Sequence, residues 1–210
     1  MGCLVGHGAG VVSLSWSPDG RYLAAAGEDR KVTVWDVENR AEVRSYALPG
    51  DVMAWSPDGT TLAVKRDDTG IALVDVYTGR EQAILVGHEG TVTALAWGPD
   101  GKILVSGSDD MTVRAWDRAT GQELRRLGGH TCRVYSVAWS PDGRSLVSGD
   151  ELGTVKFWNA LTGADERSLA AGEGLVLPLA WSPDGGLIAV GRPREGTVAV
   201  WDAATGEQLC

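Results

Sequence analysis

VAWSPDG, residues 137–143, decides the fold because it does not stand alone. Close copies are SLSWSPDG ending at Gly20, MAWSPDG at Gly59, LAWGPDG at Gly101 and LAWSPDG at Gly185. The five tryptophans, Trp16, Trp55, Trp97, Trp139 and Trp181, are separated by 39, 42, 42 and 42 residues. Helix and strand geometry repeat every 3.6 and 2 residues, so a period near 40 means one supersecondary unit copied along the chain. A second phrase follows in each copy: VTVWD to Asp36, IALVD to Asp75, VRAWD to Asp117, VKFWN to Asn159 and VAVWD to Asp202. All nine tryptophans fall on these two slots, with Val74 filling the second slot of the second copy. They read as core packing, not as a cofactor cage or a base-stacking platform.

Within a copy the residues alternate at period 2. In the fourth, Val134, Ser136 and Ala138 interleave with Tyr135, Val137 and Trp139. The SPDG turn follows, then a short apolar run at Ser145–Ser148, a third strand at Val155–Trp158 and a fourth at Glu166–Leu169. Four short strands joined by tight turns make an antiparallel meander. A small sheet of this kind has two faces to cover, and radial stacking of copies covers both.

Three copies add a Gly-His pair nine residues before the first tryptophan: Gly6-His7, Gly87-His88 and Gly129-His130, matched with Trp35-Asp36, Trp116-Asp117 and Trp158-Asn159. With these pairs the whole chain resembles the WD-repeat β-propeller family. The resemblance implies an all-β fold: a β-propeller of five WD-repeat blades, each a four-stranded antiparallel meander, in one domain over residues 1–210. The repeats run 4–45, 46–84, 85–126, 127–168 and 169–210. Propellers of this family usually carry about seven blades. Five either close alone, the two ends pairing as one outer strand, or form an open arc completed by another chain, or belong to a longer protein; repeats ending so close to both termini favour the last two together over the first. An arc would present uncovered apolar end blades, which drive self-association.

The resemblance also implies a structural hydrogen-bond network in each blade. A His from a loop, a Ser or Thr on the second strand, an Asp in the next turn and a Trp on the third strand satisfy one another. The third unit carries His88, Ser106, Asp110 and Trp116. The first has His7, Asp29 and Trp35, with Ala25 in place of the hydroxyl. The fourth has His130, Ser148 and Trp158, with Leu152 where the Asp is expected. The second keeps only Asp68, and the fifth has Gly172 and Glu195 at the His and Asp slots. Histidines at matching corners of different blades do not converge on a metal, so none is expected, nor any cofactor. Pro178 falls inside the first strand of the fifth unit, and Arg192–Glu195 lengthens its next turn.

A net charge of −9 argues against nucleic-acid binding, which needs clustered Lys and Arg. No apolar run is long enough to span a membrane, and the first residues lack a secretory signal. Gly2 is a poor lipidation site, lacking the hydroxyl residue that such a signal carries. Three cysteines, Cys3, Cys132 and Cys210, give no disulfide framework and point to a reducing, cytoplasmic setting, although the repeat phase brings Cys3 beside Cys210.

Repeated carboxylates at Asp19, Asp58, Asp100, Asp142 and Asp184 sit in the turn of every blade, where they cannot pair at catalytic distance. Asp67 with Asp68, and Asp109 with Asp110, are expected in solvated turns. A glycan-binding or glycoside-hydrolase propeller is therefore the alternative. The main reading is a non-catalytic scaffold docking a protein or peptide, the family's common role and one known for signalling proteins in bacterial repeat arrays. Non-repeated residues on the His- and Asp-bearing loops are the candidate partner-binding set: Arg30, Glu89, Met111, Cys132, Arg133, Tyr135 and Glu151. Arg133 and Tyr135 lead it, since Arg and Tyr are favoured interface anchors. The acidic chain suits a partner with a basic segment.

Overall fold

The computed structural model describes residues 4, 6–48 and 50–210. Among them the regular elements are all strands, arranged in five antiparallel sheets. The first sheet holds β1 (Val11–Trp16), β2 (Tyr22–Gly27), β3 (Val32–Asp36) and β4 (Ala41–Tyr46). The second holds β5 (Met53–Trp55), β6 (Thr61–Lys65), β7 (Ile71–Asp75) and β8 (Glu81–Leu85). The third holds β9 (Val92–Trp97), β10 (Ile103–Ser108), β11 (Thr112–Asp117) and β12 (Glu123–Gly128). The fourth holds β13 (Val134–Trp139), β14 (Ser145–Asp150), β15 (Thr154–Asn159) and β16 (Asp165–Ala170). The fifth has three strands, β17 (Leu179–Trp181), β18 (Leu187–Arg192) and β19 (Thr197–Asp202). Each sheet is a meander in chain order.

These sheets fall in two compact units. One runs to Gly87 and takes in Ala119–Gly121; it contains the first two sheets. The other comprises His88–Arg118 and Gln122–Cys210 and contains the last three.

The repeated phrase makes its turn for a local reason. Gly20, Gly59, Gly101, Gly143 and Gly185 all have φ between +68° and +74°, a left-handed conformation that costs glycine little. Each donates its N–H to the carbonyl three residues earlier at 2.9 Å. In four turns the preceding Ser closes the loop, its hydroxyl donating to the Asp two residues on: Ser17 to Asp19, Ser56 to Asp58, Ser140 to Asp142 and Ser182 to Asp184.

Within each unit, adjacent sheets share one apolar seam. Ala24, Ala26, Val32 and Val34 of the first sheet pack against Leu62, Val64, Ala72 and Val74 of the second. Val105, Val113 and Leu127 meet Val134, Val137 and Leu146 across the seam between the third and fourth. Val147, Val155 and Phe157 meet Ile188, Val190 and Trp201 across the next. The first-slot tryptophan reaches back over its predecessor: Trp55 Nε1 donates to the Ser15 carbonyl at 3.0 Å, and Trp181 Nε1 to that of Ala138 at 3.3 Å. Outer-strand arginines reach forward instead. Arg44 donates to the Tyr77 carbonyl at 3.2 Å, and Arg167 donates to the carbonyls of Ala203 and Ala204 at 2.6 and 3.0 Å while lying 4.1 Å from the Phe157 ring centre.

Two sequence expectations change. Pro178 is not inside a strand; β17 begins one residue later. A proline has no N–H for the ladder, and Pro178 contributes only its carbonyl, to Gly191 N at 2.9 Å. Nor are all tryptophans core: Trp16 is 55% exposed, with Val11, Val12 and Leu14 beside it on β1 also exposed. Among the described residues, no sheet of its unit precedes the first to receive its indole. The fifth sheet gains a rudimentary fourth edge, where Leu209 donates to the Val200 carbonyl at 2.8 Å and Val200 to that of Cys210 at 2.9 Å. Cys3 lies outside the described residues, while Cys132 and Cys210 are free thiols.

Candidate functional site

The third sheet shows how a rim loop is fixed. His88 stands ahead of β9, Ser106 in the middle of β10, Asp110 in the turn after it and Trp116 on β11. Asp110 Oδ2 lies 2.8 Å from His88 Nδ1; Ser106 Oγ lies 2.6 Å from His88 Nε2 and 2.8 Å from Trp116 Nε1. One proton arrangement uses every group. The indole N–H donates to Ser106 Oγ, the Ser106 hydroxyl donates to Nε2, and Nδ1–H donates to Asp110. A doubly protonated imidazole would leave the hydroxyl proton without an acceptor, so the histidine is neutral. Burial pushes the His88 pKa below its ordinary value and outweighs the opposing pull of Asp110. For Asp110 burial acts upward, but hydrogen bonds from Thr112, His88 and the Glu89 amide win and hold the carboxyl well below the usual range. The Asp109–Asp110 turn is thus not a solvated one: the Asp110 side chain is only 5% exposed.

The fourth sheet corrects the sequence reading. His130 Nε2 to Ser148 Oγ is 2.6 Å, and Trp158 Nε1 to the same oxygen is 2.8 Å. The carboxylate comes not from the slot of Leu152 but from Asp150, whose Oδ2 lies 2.9 Å from His130 Nδ1. Asp150 closes β14 opposite Val134, the register that Ser108 holds opposite Val92. From there its second oxygen caps the turn, accepting the amides of Leu152 and Thr154 at 3.0 and 2.9 Å. The fourth blade therefore has a complete network, and Leu152 is 61% exposed.

The remaining sheets are partial. His7 Nδ1 lies 3.0 Å from Asp29 Oδ1, but with Ala25 in place of a hydroxyl residue His7 Nε2 is buried without a partner. In the second sheet Asp67, not Asp68, caps the turn through the amides of Thr69 and Gly70, at 3.1 and 2.8 Å. In the fifth, Trp201 Nε1 has no partner, and Glu195 pairs with Arg192 at 3.4 Å.

The two complete networks hold the loops carrying most of the candidate partner-binding residues. Arg133 is exposed and Tyr135 half-buried at a bulge in β13, between the paired positions Val134 and Ser136. A hydrogen bond to Tyr135, then the charges of Asp109 and Glu151, raise the Arg133 pKa above its ordinary value. The Glu151 amide donates to the Arg133 carbonyl at 3.0 Å, tying the two loops. Glu89 donates its amide to Asp110 at 3.0 Å. Met111 is 44% exposed with φ +65°, where the fourth and fifth sheets use Gly153 and Gly196. Cys132 is half-buried beside Arg133. Arg30 belongs to the other unit, where it has φ +59° and lines a groove with Glu28, Asp51 and Asp67.

Sequence reasoning missed Asp109 and Leu152 as rim residues. Asp109 faces Arg133 with Oδ1 buried and unpartnered, and Leu152 stands next to Glu151. Repetition hid the first, since a paired Asp-Asp turn also occurs at Asp67-Asp68. Among the described residues no three His, Cys, Asp or Glu side chains gather as metal ligands, and no helix is long and apolar enough to cross a membrane.

Residues 12–162 match the family model described as WDR19 first beta-propeller, and residues 178–202 match the one described as WD domain, G-beta repeat. No curated protein matches the chain.

Proposed function

The chain belongs to the WD-repeat β-propeller family, and on that premise we propose that it is a non-catalytic scaffold docking a protein or peptide on the rim of its third and fourth blades. The observation carrying this reading is the Arg133–Tyr135 pair flanked by Asp109 and Glu151, on loops locked by the His88 and His130 networks. A rigid rim loses little conformational freedom on binding, which favours affinity. Carboxylates of Asp109, Glu151 and Glu89, on a chain of net charge −9, suit a partner with a basic segment. All 210 residues act as one WD-repeat domain in this reading, working in the cytoplasm as the docking part of a signalling assembly.

The glycan or glycoside-hydrolase alternative has less behind it. Asp19, Asp142 and Asp184 each accept a serine hydroxyl and a backbone amide, which lowers their pKa values. Such turn caps are poor general acids. Panning a random displayed peptide library on the immobilised chain tests the docking reading. Enrichment of Lys- and Arg-containing sequences that the Arg133→Ala, Tyr135→Ala double variant no longer retains is expected. Enrichment indifferent to the double variant contradicts it.

One observation favours a second mode, self-association. Val11, Val12, Leu14 and Trp16 are each more than half exposed along one strand. A run of that kind invites a second copy. Concentration-dependent mass by light scattering, abolished by Leu14→Ser with Trp16→Ser, is the expected result; a monomer at all concentrations removes this mode.

A further inference from the structure

The blade-turn phrase has one departure that the rim does not use: Gly98 replaces the serine of WSPDG. In the other turns that Ser Oγ also accepts an amide N–H five residues on, from Tyr22, Thr61, Ser145 and Leu187, at 2.8 to 3.0 Å. A Cβ at Gly98 would lie 3.5 Å from Cε2 and Cζ2 of Trp139 and 3.3 Å from the Ile103 carbonyl. The Trp139 indole thus lies against this turn, at ordinary contact distance from where a side chain at Gly98 would begin. Its Nε1 is buried without a partner, unlike those of Trp55 and Trp181, so packing alone holds the ring.

Beside Trp139 opens a groove of about 490 Å³, where Pro99, Ile103, Trp139 and Leu161 supply apolar lining and Asp100, Asp142, Arg144 and Asn159 polar lining. Leu161 is 78% exposed, so its side chain is free to meet an incoming segment. The corresponding groove one blade on is as large, about 500 Å³, and keeps the proline, the tryptophan and two aspartates as Pro141, Trp181, Asp142 and Asp184, but has Ser145 and Ala204 where this one has Ile103 and Leu161. Ile103 and Leu161 thus give this groove an apolar character that the repeat alone does not supply. Its charged edge carries two carboxylates, Asp100 and Asp142, and the guanidinium of Arg144. Asp100 and Asp142 are 58% and 60% exposed, and their cationic neighbours Lys102 and Arg144 stand 3.9 Å away and more than three-quarters exposed. Pairs that long and wet are weak and open to exchange.

We propose that this groove is a second docking site, taking an extended protein segment that seats an aliphatic side chain against Trp139 and Leu161 and sets an adjacent Lys or Arg against Asp100 or Asp142. The proposal rests on reading the chain as a docking scaffold, but it uses none of the rim residues. A second recognition point lets one partner be held at two places, or two partners at once.

The test uses the full 210-residue chain and two capped peptides, Gly-Leu-Lys-Gly and Gly-Leu-Glu-Gly, titrated while the Trp139 indole N–H signal is followed by NMR. The Lys peptide is expected to shift that signal and to bind about fivefold more tightly than the Glu peptide, the scale of one exposed ion pair. Leu161→Ser, which changes only an exposed side chain, should weaken binding without altering the fold. Arg133→Ala should leave the titration unchanged. A silent Trp139 signal at millimolar Lys peptide, equal binding of both peptides, or full binding by Leu161→Ser would overturn the groove while leaving the rim untouched. Loss of binding in Arg133→Ala would place the peptide on the rim and overturn the groove as well.

Discussion

Asp150 Oδ2 lies 2.9 Å from His130 Nδ1, although Asp150 comes two positions earlier in its blade than Asp110 does in the blade before. The imidazole keeps its carboxylate because a strand-terminal side chain can reach the same point that a turn residue reaches elsewhere. The network is conserved within the chain as geometry, not as spacing.

Removal of Asp150 is therefore costly and removal of Leu152 is not. Asp150→Ala leaves a buried imidazole N–H and two turn amides short of an acceptor and is expected to cost about 3 kcal/mol. Leu152→Ala, at a 61% exposed site, should stay within about 0.5 kcal/mol. Urea denaturation of both variants checks this; equal effects would return the role to Leu152.

The hydroxyl slot offers a loss and a gain. Ser106→Ala orphans both His88 Nε2 and Trp116 Nε1 and should destabilise by about 3 kcal/mol. Ala25→Ser supplies the missing partner of His7 Nε2, in the register that Ser106 holds on β10, and should stabilise by about 1 kcal/mol. Thermal melts of the two single variants read the pair directly. A destabilised Ala25→Ser would mean that the first blade cannot accommodate the network.

Acid weakens this protein through the same groups. The folded His88 pKa lies below its ordinary 6.5, so the unfolded chain takes up that proton first and stability is lost as pH falls below about 6.5. Asp110, also held below its ordinary 3.8, adds a further loss in more acid solution. Denaturation midpoints should thus fall from pH 7 to pH 5, and the His88 ring signals should titrate with a midpoint under 6.5. A midpoint at or above 6.5 would contradict the neutral, buried imidazole.

Arg167 binds the fourth blade to the fifth by shape as much as by charge. Its guanidinium stacks on Phe157 while both amino groups reach carbonyls of the 203–204 turn. Arg167→Lys keeps the charge but loses the planar fork and should cost about 1 kcal/mol or more, nearly as much as Arg167→Ala. Full stability of the Lys variant would show that charge alone suffices.

The fold was legible because its signal is redundant: a turn phrase, a Trp slot and a strand pattern all repeat together. What escaped reading was whatever depends on reach or on neighbours. Leu152 occupied the expected Asp slot while Asp150 did the work from the strand end. Trp16 has the same phrase as Trp55, yet Trp55 reaches the Ser15 carbonyl of the sheet before it while Trp16 stays exposed. Asp109 joined Arg133 through space across two loops, which no spacing along the chain records.

The docking rim is the centre of the account. Its most direct test is calorimetric titration of the tightest panned basic peptide into the wild-type chain and into the Arg133→Ala, Tyr135→Ala double variant, with melting temperatures measured alongside. Affinity reduced tenfold or more, about 1.4 kcal/mol, at unchanged melting temperature is the predicted result. Equal affinity for both proteins would contradict it and move the docking surface elsewhere on the chain.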